Sequence, residues 1–304
     1  MYDIIVVGGG PAGLTAAIYA LRAGKTVLVI EKAGFGGQIA FSPKVENIPG
    51  TRQISGAAFA EQLTDQVMDL GADVELATVT AVEKEENGFR VITEDGDFRA
   101  GAVILALGVK HRTLGLPGEE ELIGNGISFC AVCDGAFYAG QEVAMIGGGN
   151  SALQEALLLS EVCTKVTVVQ NLSGFTGEKR LADALLEKEN VTAIFDTVVV
   201  GYETDANGLS GLRLRHEKTG EESQISVTGA FLAVGLMPEN EPFAAHAQLN
   251  PWGYFDCGED CATRTPGIYV AGDCRSKHIR QVVTASADGA IAAMAACRYL
   301  DHNA

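Results

Sequence analysis

Residues 2–13 read YDIIVVGGGPAG, and 139 positions later residues 141–152 read QEVAMIGGGNSA. Each stretch is a short apolar run entering three glycines. The first continues into a helical pattern, TAAIYALRAG (15–24), and a second apolar run, TVLVIE (26–31). The second continues into ALQEALLLSEV (152–162) and KVTVVQ (165–170). Strand, glycine turn, helix and strand in that order make a βαβ unit. The spacing between the copies is too long for a solenoid repeat and fits two Rossmann-like domains in one chain.

The sequence between and after the copies extends this reading. Residues 74–105 alternate as short strands around a turn near Asn87, and VILALG (103–108) returns a strand to the first sheet. VTAIFDTVVVGYE (191–203), GLRLRHE (211–217) and GAFLAVG (229–235) mirror that arrangement in the second half. TLGLPGEE (113–120) and LMPENEP (236–242) carry the Gly/Pro marks of connections. The chain closes with GIYVAGDCRS (267–276) and a small-residue helix, VVTASADGAIAAMAACRYL (282–300), expected to pack closely on the first domain. The expected architecture is α/β: two Rossmann-like domains of the three-layer ββα type. The second, residues 115–242, is inserted into a first domain made of residues 1–114 and 243–304.

A chain of 304 residues holds about two domains, and 47% hydrophobic residues supply a sizeable core. Net charge is −17, from 22 basic and 39 acidic residues, so a phosphate backbone is not an expected partner. No apolar run reaches the ~18–20 residues of a membrane span. The N-terminus lacks a basic leader and cleavage site, so the expected location is the cytoplasm, away from membranes. Seven cysteines, an odd number, argue against a structural disulfide framework.

Four motifs carry chemistry. In the first fingerprint, Gly8 permits the tight turn, Gly10 lets the backbone approach a pyrophosphate, and Gly13 lets helix and strand pack. The anion would sit on the helix N-terminus. Glu31, 18 residues past Gly13, ends the next strand where a carboxylate accepts ribose hydroxyls. In the second fingerprint, Gly147, Gly149 and Ala152 hold the corresponding places, with Asn150 and Ser151 between them. Its second strand ends in Gln170-Asn171-Leu172, with neither an acid for a ribose nor an arginine for a 2′-phosphate. Lys179 and Arg180, several residues on, are the nearest substitutes.

The third motif is Cys130-Ala-Val-Cys133-Asp134. The spacing lets the sulfurs bridge, such pairs often ionise readily, and a thiolate attacks a partner disulfide through a mixed disulfide. Asp134 stands beside the pair as a proton donor or acceptor. Half a zinc site and a pair of buried inert thiols are the competing readings; against the zinc site, Cys257 and Cys261, with three residues between them, lack a nearby histidine. No metal is expected. The fourth motif is Gly272-Asp273 after an apolar strand, with Arg280-Gln281-Val282 opening the last helix. There an aspartate meets a polyol hydroxyl and a helix start faces an electron-rich carbonyl.

Together, GGGPAG, GGQ (36–38), VENIPG (45–50), ALGV (106–109), CAVCDGA (130–136), GGGNSALQEA (147–156) and YVAGDCRSKHIRQVVTASADGA (269–290) resemble the low-molecular-weight thioredoxin reductase family over nearly the whole chain. The resemblance implies FAD held by residues 1–114 and 243–304, at Gly8, Gly10, Pro11, Ala12, Gly13, Glu31, Gly37, Gln38, Asn47, Asp273, Arg280, Gln281 and Val282. Residues 115–242 would be an NAD(P)H-binding-like domain carrying the redox disulfide. The resemblance also implies a homodimer, rotation between the domains, and electron flow to thioredoxin or a thioredoxin-like protein. In it Cys133 faces the flavin, Cys130 attacks the partner and Asp134 is the acid/base.

Members that use NADPH carry a His-Arg-Arg-like segment where this chain has Gln170-Asn171-Leu172. A bidentate arginine–phosphate contact far outweighs a lone amide. The donor therefore stays open among NADPH, NADH and another carrier such as reduced ferredoxin. Two further alternatives are a flavin reductase of the ferredoxin–NADP type, against which the Cys130/Cys133 pair argues, and a metal- or flavin-binding interaction module. Cys257, Cys261 and Cys274 are read as small residues near the surface of the flavin domain, or else as an auxiliary redox or metal site.

Overall fold

The computed structural model describes residues 1–42 and 45–303. By internal contacts the chain divides into two units. One comprises Met1–Ala40, Ile48–Lys110 and Met237–Ala304; the other comprises Phe41–Asn47 and His111–Leu236. The crossings fall at 110/111 and 236/237, a few residues before the expected 114/115 and 242/243. Among the described residues, no helix is long and apolar enough to cross a membrane.

The first unit begins with β1 (Tyr2–Val7), α1 (Pro11–Arg22) and β2 (Val27–Glu31). It continues with α2 (Gly56–Asp69), β3 (Asp73–Leu76), β4 (Val79–Glu85), β5 (Gly88–Thr93) and β6 (Asp97–Leu105). Strand β7 (Lys110–His111) carries the chain across. The second unit runs α3 (Glu119–Leu122), β8 (Ile127–Ser128), α4 (Ala131–Asp134), β9 (Glu142–Ile146), α5 (Asn150–Ser160) and β10 (Lys165–Val169). Then come α6 (Lys179–Leu186), β11 (Val191–Ile194), β12 (Thr197–Asp205), β13 (Gly208–His216), β14 (Glu222–Ser226) and β15 (Gly229–Leu232). The chain returns through β16 (Leu236–Met237), which lies beside β7, and ends with β17 (Ile268–Val270) and α7 (Val282–Asn303).

In the first unit the sheet order is β3-β2-β1-β6-β5-β4, with β17 also pairing β6. The pairs β1–β2, β1–β6 and β6–β17 are parallel, while β4–β5–β6 is an antiparallel meander. Side chains alternate across the parallel strands. Ile4 and Val6 face α1 and α7; Ile5 and Val7 face Val82, Phe89, Val91 and Phe255. Two separate apolar cores therefore sit on the two faces of one sheet, making three layers. Each fully buried Ile or Val contributes roughly 1.5–3 kcal/mol. The small residues of α7 serve close approach: a Cβ on Gly289 would lie 2.1 Å from the Ala12 carbonyl oxygen.

The second unit repeats the plan. Its sheet, β11-β10-β9-β15-β8, is parallel throughout. Val143, Met145, Val166 and Val168 pack on α5 and α6. Ala144, Ile146 and Val169 pack on the antiparallel sheet β12-β13-β14. Helix α2 was not anticipated from sequence. It is capped by Ser55, whose hydroxyl accepts the Ala58 N–H at 3.1 Å, and it buries only Gly56, Ala60 and Val67.

Candidate functional site

In the first unit the strand-to-helix turn has no room for side chains. Gly8 has φ 111°, and a Cβ there would lie 2.2 Å from the Ala106 carbonyl oxygen; one on Gly13 would lie 1.8 Å from the Gly8 carbonyl oxygen. Gly10 caps α1 with no side-chain hydrogen bond, and Pro11 and Ala12 follow in its first turn. A second loop comes up against it: the Gly36 N–H donates to the Gly9 carbonyl at 2.7 Å. A Cβ on Gly37 would be 3.3 Å from the Gly10 Cα. Bare backbone from two loops thus surrounds an uncapped helix start, a setting suited to a pyrophosphate.

Glu31 closes this turn. Its carboxylate accepts the Gly9 N–H at 2.7 Å and the Ala33 N–H at 3.0 Å. Gly272, with φ 80°, stands against the first turn of α1, where its Cβ would be 2.8 Å from that of Ala12. That places Asp273 in the same region, with Oδ1 buried and unpartnered among the described residues. Burial pushes its carboxyl up to about 6, against the pull of Lys277 and Arg280. Arg280 stacks over the Tyr254 ring at 4.4 Å and donates to the Asp273 carbonyl at 3.3 Å. The Gln281 N–H donates to Thr284 Oγ1 at the start of α7, where Val282 is the first residue. Gln38 lies exposed in the short 3₁₀ turn Gly37–Phe41. Asn47 groups with the second unit. The bare glycine cradle and the orphaned Asp273 oxygen fit a flavin dinucleotide.

Sequence reasoning missed Asp288 on α7. It accepts the Gly272 N–H at 3.0 Å and pairs with Arg275 at 2.6 Å and Lys277 at 2.8 Å, so it fixes the turn that carries Asp273. A lone acid inside a small-residue helix was the available signal. The three late cysteines are not surface residues as a group. Cys261 and Cys274 are fully buried and Cys257 is half-buried, because the closing turns fold into the two cores. Burial pushes the Cys261 and Cys274 thiols up to about 12. Cys257 accepts the Arg275 Nε–H at 3.1 Å. No metal-holding group of these side chains forms among the described residues.

In the second unit Cys130 and Cys133 are joined as a disulfide across the single turn of α4, with Cα atoms 5.3 Å apart. Both are half-buried, and Val132 between them is exposed. Ser128 fastens the turn: its hydroxyl accepts the Cys130 N–H at 3.1 Å and donates to Asp134 Oδ2 at 2.6 Å. Asp134 Oδ1 is buried without a partner among the described residues. Burial raises the Asp134 carboxyl above the ordinary carboxylate range, against the Ser128 hydrogen bond. The Ala131 N–H donates to Glu155 Oε2 at 3.1 Å. Neither Ser128 nor Glu155 was singled out in the sequence. They lie outside the C-x-x-C motif and reach it only through the fold.

The second fingerprint adopts the first one's geometry. Gly147 has φ 128°, and its Cβ would lie 2.5 Å from the Ala233 carbonyl oxygen; Gly149 caps α5 with no side-chain bond. Asn150 accepts the Glu178 N–H at 2.7 Å, Ser151 is exposed, and Ala152 is buried. Against Gly148, where Glu31 stands against Gly9, the neutral Gln170 lies buried. Asn171 and Leu172 are exposed. Lys179 is tied to Asp183 at 2.6 Å, and Arg180 is exposed beside it.

Comparisons with known proteins agree with this geometry. The pyridine nucleotide-disulphide oxidoreductase family profile matches residues 2–289. The thioredoxin reductase of Treponema pallidum (strain Nichols) is 37% identical over 301 residues, covering 99% of this chain and 97% of that protein. The "34.2 kDa protein in rubredoxin operon" of Clostridium pasteurianum is 36% identical, with 98% and 97% covered. The crystal structure of the Streptococcus pyogenes MGAS5005 thioredoxin reductase superposes with a TM-score of 0.94 at 36% identity, covering 99% of each chain.

Proposed function

The chain belongs to the low-molecular-weight thioredoxin reductases of the pyridine nucleotide-disulphide oxidoreductase family, and on that premise we propose that it reduces the disulfide of thioredoxin or a thioredoxin-like protein through Cys130 and Cys133. The observation that carries this reading is the formed Cys130–Cys133 disulfide with a buried, raised carboxyl beside it.

FAD, when bound at the first unit, would supply the two electrons that reduce the disulfide. The bare turn at Gly8, Gly10 and Gly13 would receive its pyrophosphate together with Gly37, and Glu31 and Asp273 would take its hydroxyl groups. Arg280, Gln281 and Val282, with Gln38, complete the set; Asn47, expected in it from sequence, belongs to the second unit. Once Cys130 and Cys133 are thiols, Cys130 attacks the partner disulfide and Cys133 closes on Cys130 to release the reduced partner. Asp134, protonated more readily than an ordinary carboxyl, supplies and recovers the proton. The protein acts as a cytoplasmic homodimer.

The second fingerprint, Gly147 to Ala152, holds a pyridine nucleotide. Gln170 in place of an acid, without an arginine at 171 or 172, favours a second reading in which a protein carrier such as ferredoxin is the donor. Cys133→Ser tests the dithiol assignment. The variant should retain FAD, measured by its absorbance, and lose thioredoxin turnover; surviving turnover would remove the assignment.

A further inference from the structure

We propose that Glu155 is a positioning residue of the disulfide: it ties the Ala131 peptide between the two cysteines to helix α5, and its charge, acting with that of Asp134, governs how readily the reduced sulfurs ionise. The inference rests on reading Cys130–Cys133 as the exchanging pair. Three observations on the second unit carry it. Glu155 Oε2 accepts the N–H of the residue next to Cys130, so a carboxyl lies one peptide from that sulfur's backbone. Asp134, at the other end of the same turn, has one carboxyl oxygen on Ser128 and the other buried without a partner. Asp134 is buried, whereas Glu155 is half-buried and in touch with water.

Burial is the larger cause that pushes the Glu155 carboxyl up, to about 7. The Ala131 hydrogen bond works against it, and the charge of Asp134 adds to the rise. Interaction between two charges is mutual, so ionisation of either carboxyl disfavours that of the other. The other charges on elements packed against α5 are engaged elsewhere or exposed. Lys179 pairs with Asp183 on α6, Arg180 is exposed, and Glu142 faces Lys165 at the start of β9 and β10. Tyr138, after α4, is kept protonated by burial and by Asp134. Below neutral pH the Glu155 carboxyl is uncharged. Above it a carboxylate stands one peptide from Cys130 and opposes negative charge on the sulfurs once the pair is reduced.

The test is the pH dependence of iodoacetamide alkylation of the dithiothreitol-reduced holoenzyme, measured anaerobically. The wild type should show a step near pH 7 below the thiol titration. Glu155→Gln should lose that step and alkylate about three- to tenfold faster at pH 8.5, one pKa unit being tenfold in thiolate. A Glu155→Gln profile superimposing on the wild type, or a step lost in Asp134→Asn but kept in Glu155→Gln, overturns the charge role.

Positioning is read by closing the reduced pair with oxidised glutathione. Two thiols of the protein become one disulfide while one oxidised glutathione becomes two glutathiones. Glu155→Ala should close about fivefold more slowly than Glu155→Gln, which equally lacks the charge but retains an acceptor for Ala131, for the loss of one hydrogen bond. Closure of Glu155→Ala at the Glu155→Gln rate overturns that role. Neither measurement uses thioredoxin, so a wild type that gives these profiles but no thioredoxin turnover would refute the substrate and leave Glu155 standing.

Discussion

At the scale of single residues, Asp273 gives a prediction with two opposed signs. Its carboxyl, raised to about 6 by burial, holds its proton more tightly folded than unfolded. The stability it contributes is therefore complete below the unfolded value of about 4 and is lost as pH rises through about 6. In flavin-free protein, Asp273→Asn should raise stability by about 1–2 kcal/mol at pH 8 and change little at pH 4. A denaturant titration at the two pH values measures this. The same substitution should weaken flavin retention, because the unpartnered oxygen that costs stability is the one offered to the ligand. A variant destabilised at both pH values would contradict this account. Residues placed by a turn or a spacing, such as Gly8, Glu31 and Cys130, were legible in the sequence. Ser128, Glu155 and Asp288 were not. Each acts through a hydrogen bond to a residue six or more positions away, and one chain carries no local pattern for that.

Among elements, the contact of α1 with α7 is the most sensitive. Gly289 has no space for a side chain beside the Ala12 carbonyl. Gly289→Val should destabilise the first unit by about 3 kcal/mol or more, seen as a lower thermal midpoint together with earlier flavin release. The βαβ units were readable because their apolar periods and glycine turns are strong. Helix α2 went unread because its buried stripe is only Gly56, Ala60 and Val67, and α6 because only Leu185 is buried. Tertiary packing decides such helices more than periodicity does.

On the scale of the whole molecule, the donor is the deciding question. Anaerobic titration with NADPH and with NADH, followed by flavin absorbance, should show slow or absent bleaching with NADPH, since Gln170 is neutral and buried and no arginine stands at 171 or 172. Rapid bleaching by either nucleotide would show that the second fingerprint serves despite Gln170. Bleaching by neither, with dithionite still effective, would direct the search to a protein carrier. The insertion of one unit within the other was legible from the repeat. The two-stranded pairing of the crossings was not, because two residues per strand leave no pattern.

That insertion bears on how the protein is made. β17 and α7, which complete the first sheet and cover α1, are synthesised only after the second unit, which is finished at residue 236. At ~5–20 residues per second, the apolar face of α1 waits roughly 13–55 s on the ribosome for its partner. The whole of the inserted unit is therefore on hand before α7 exists, while α1 still lacks the partner for its apolar face.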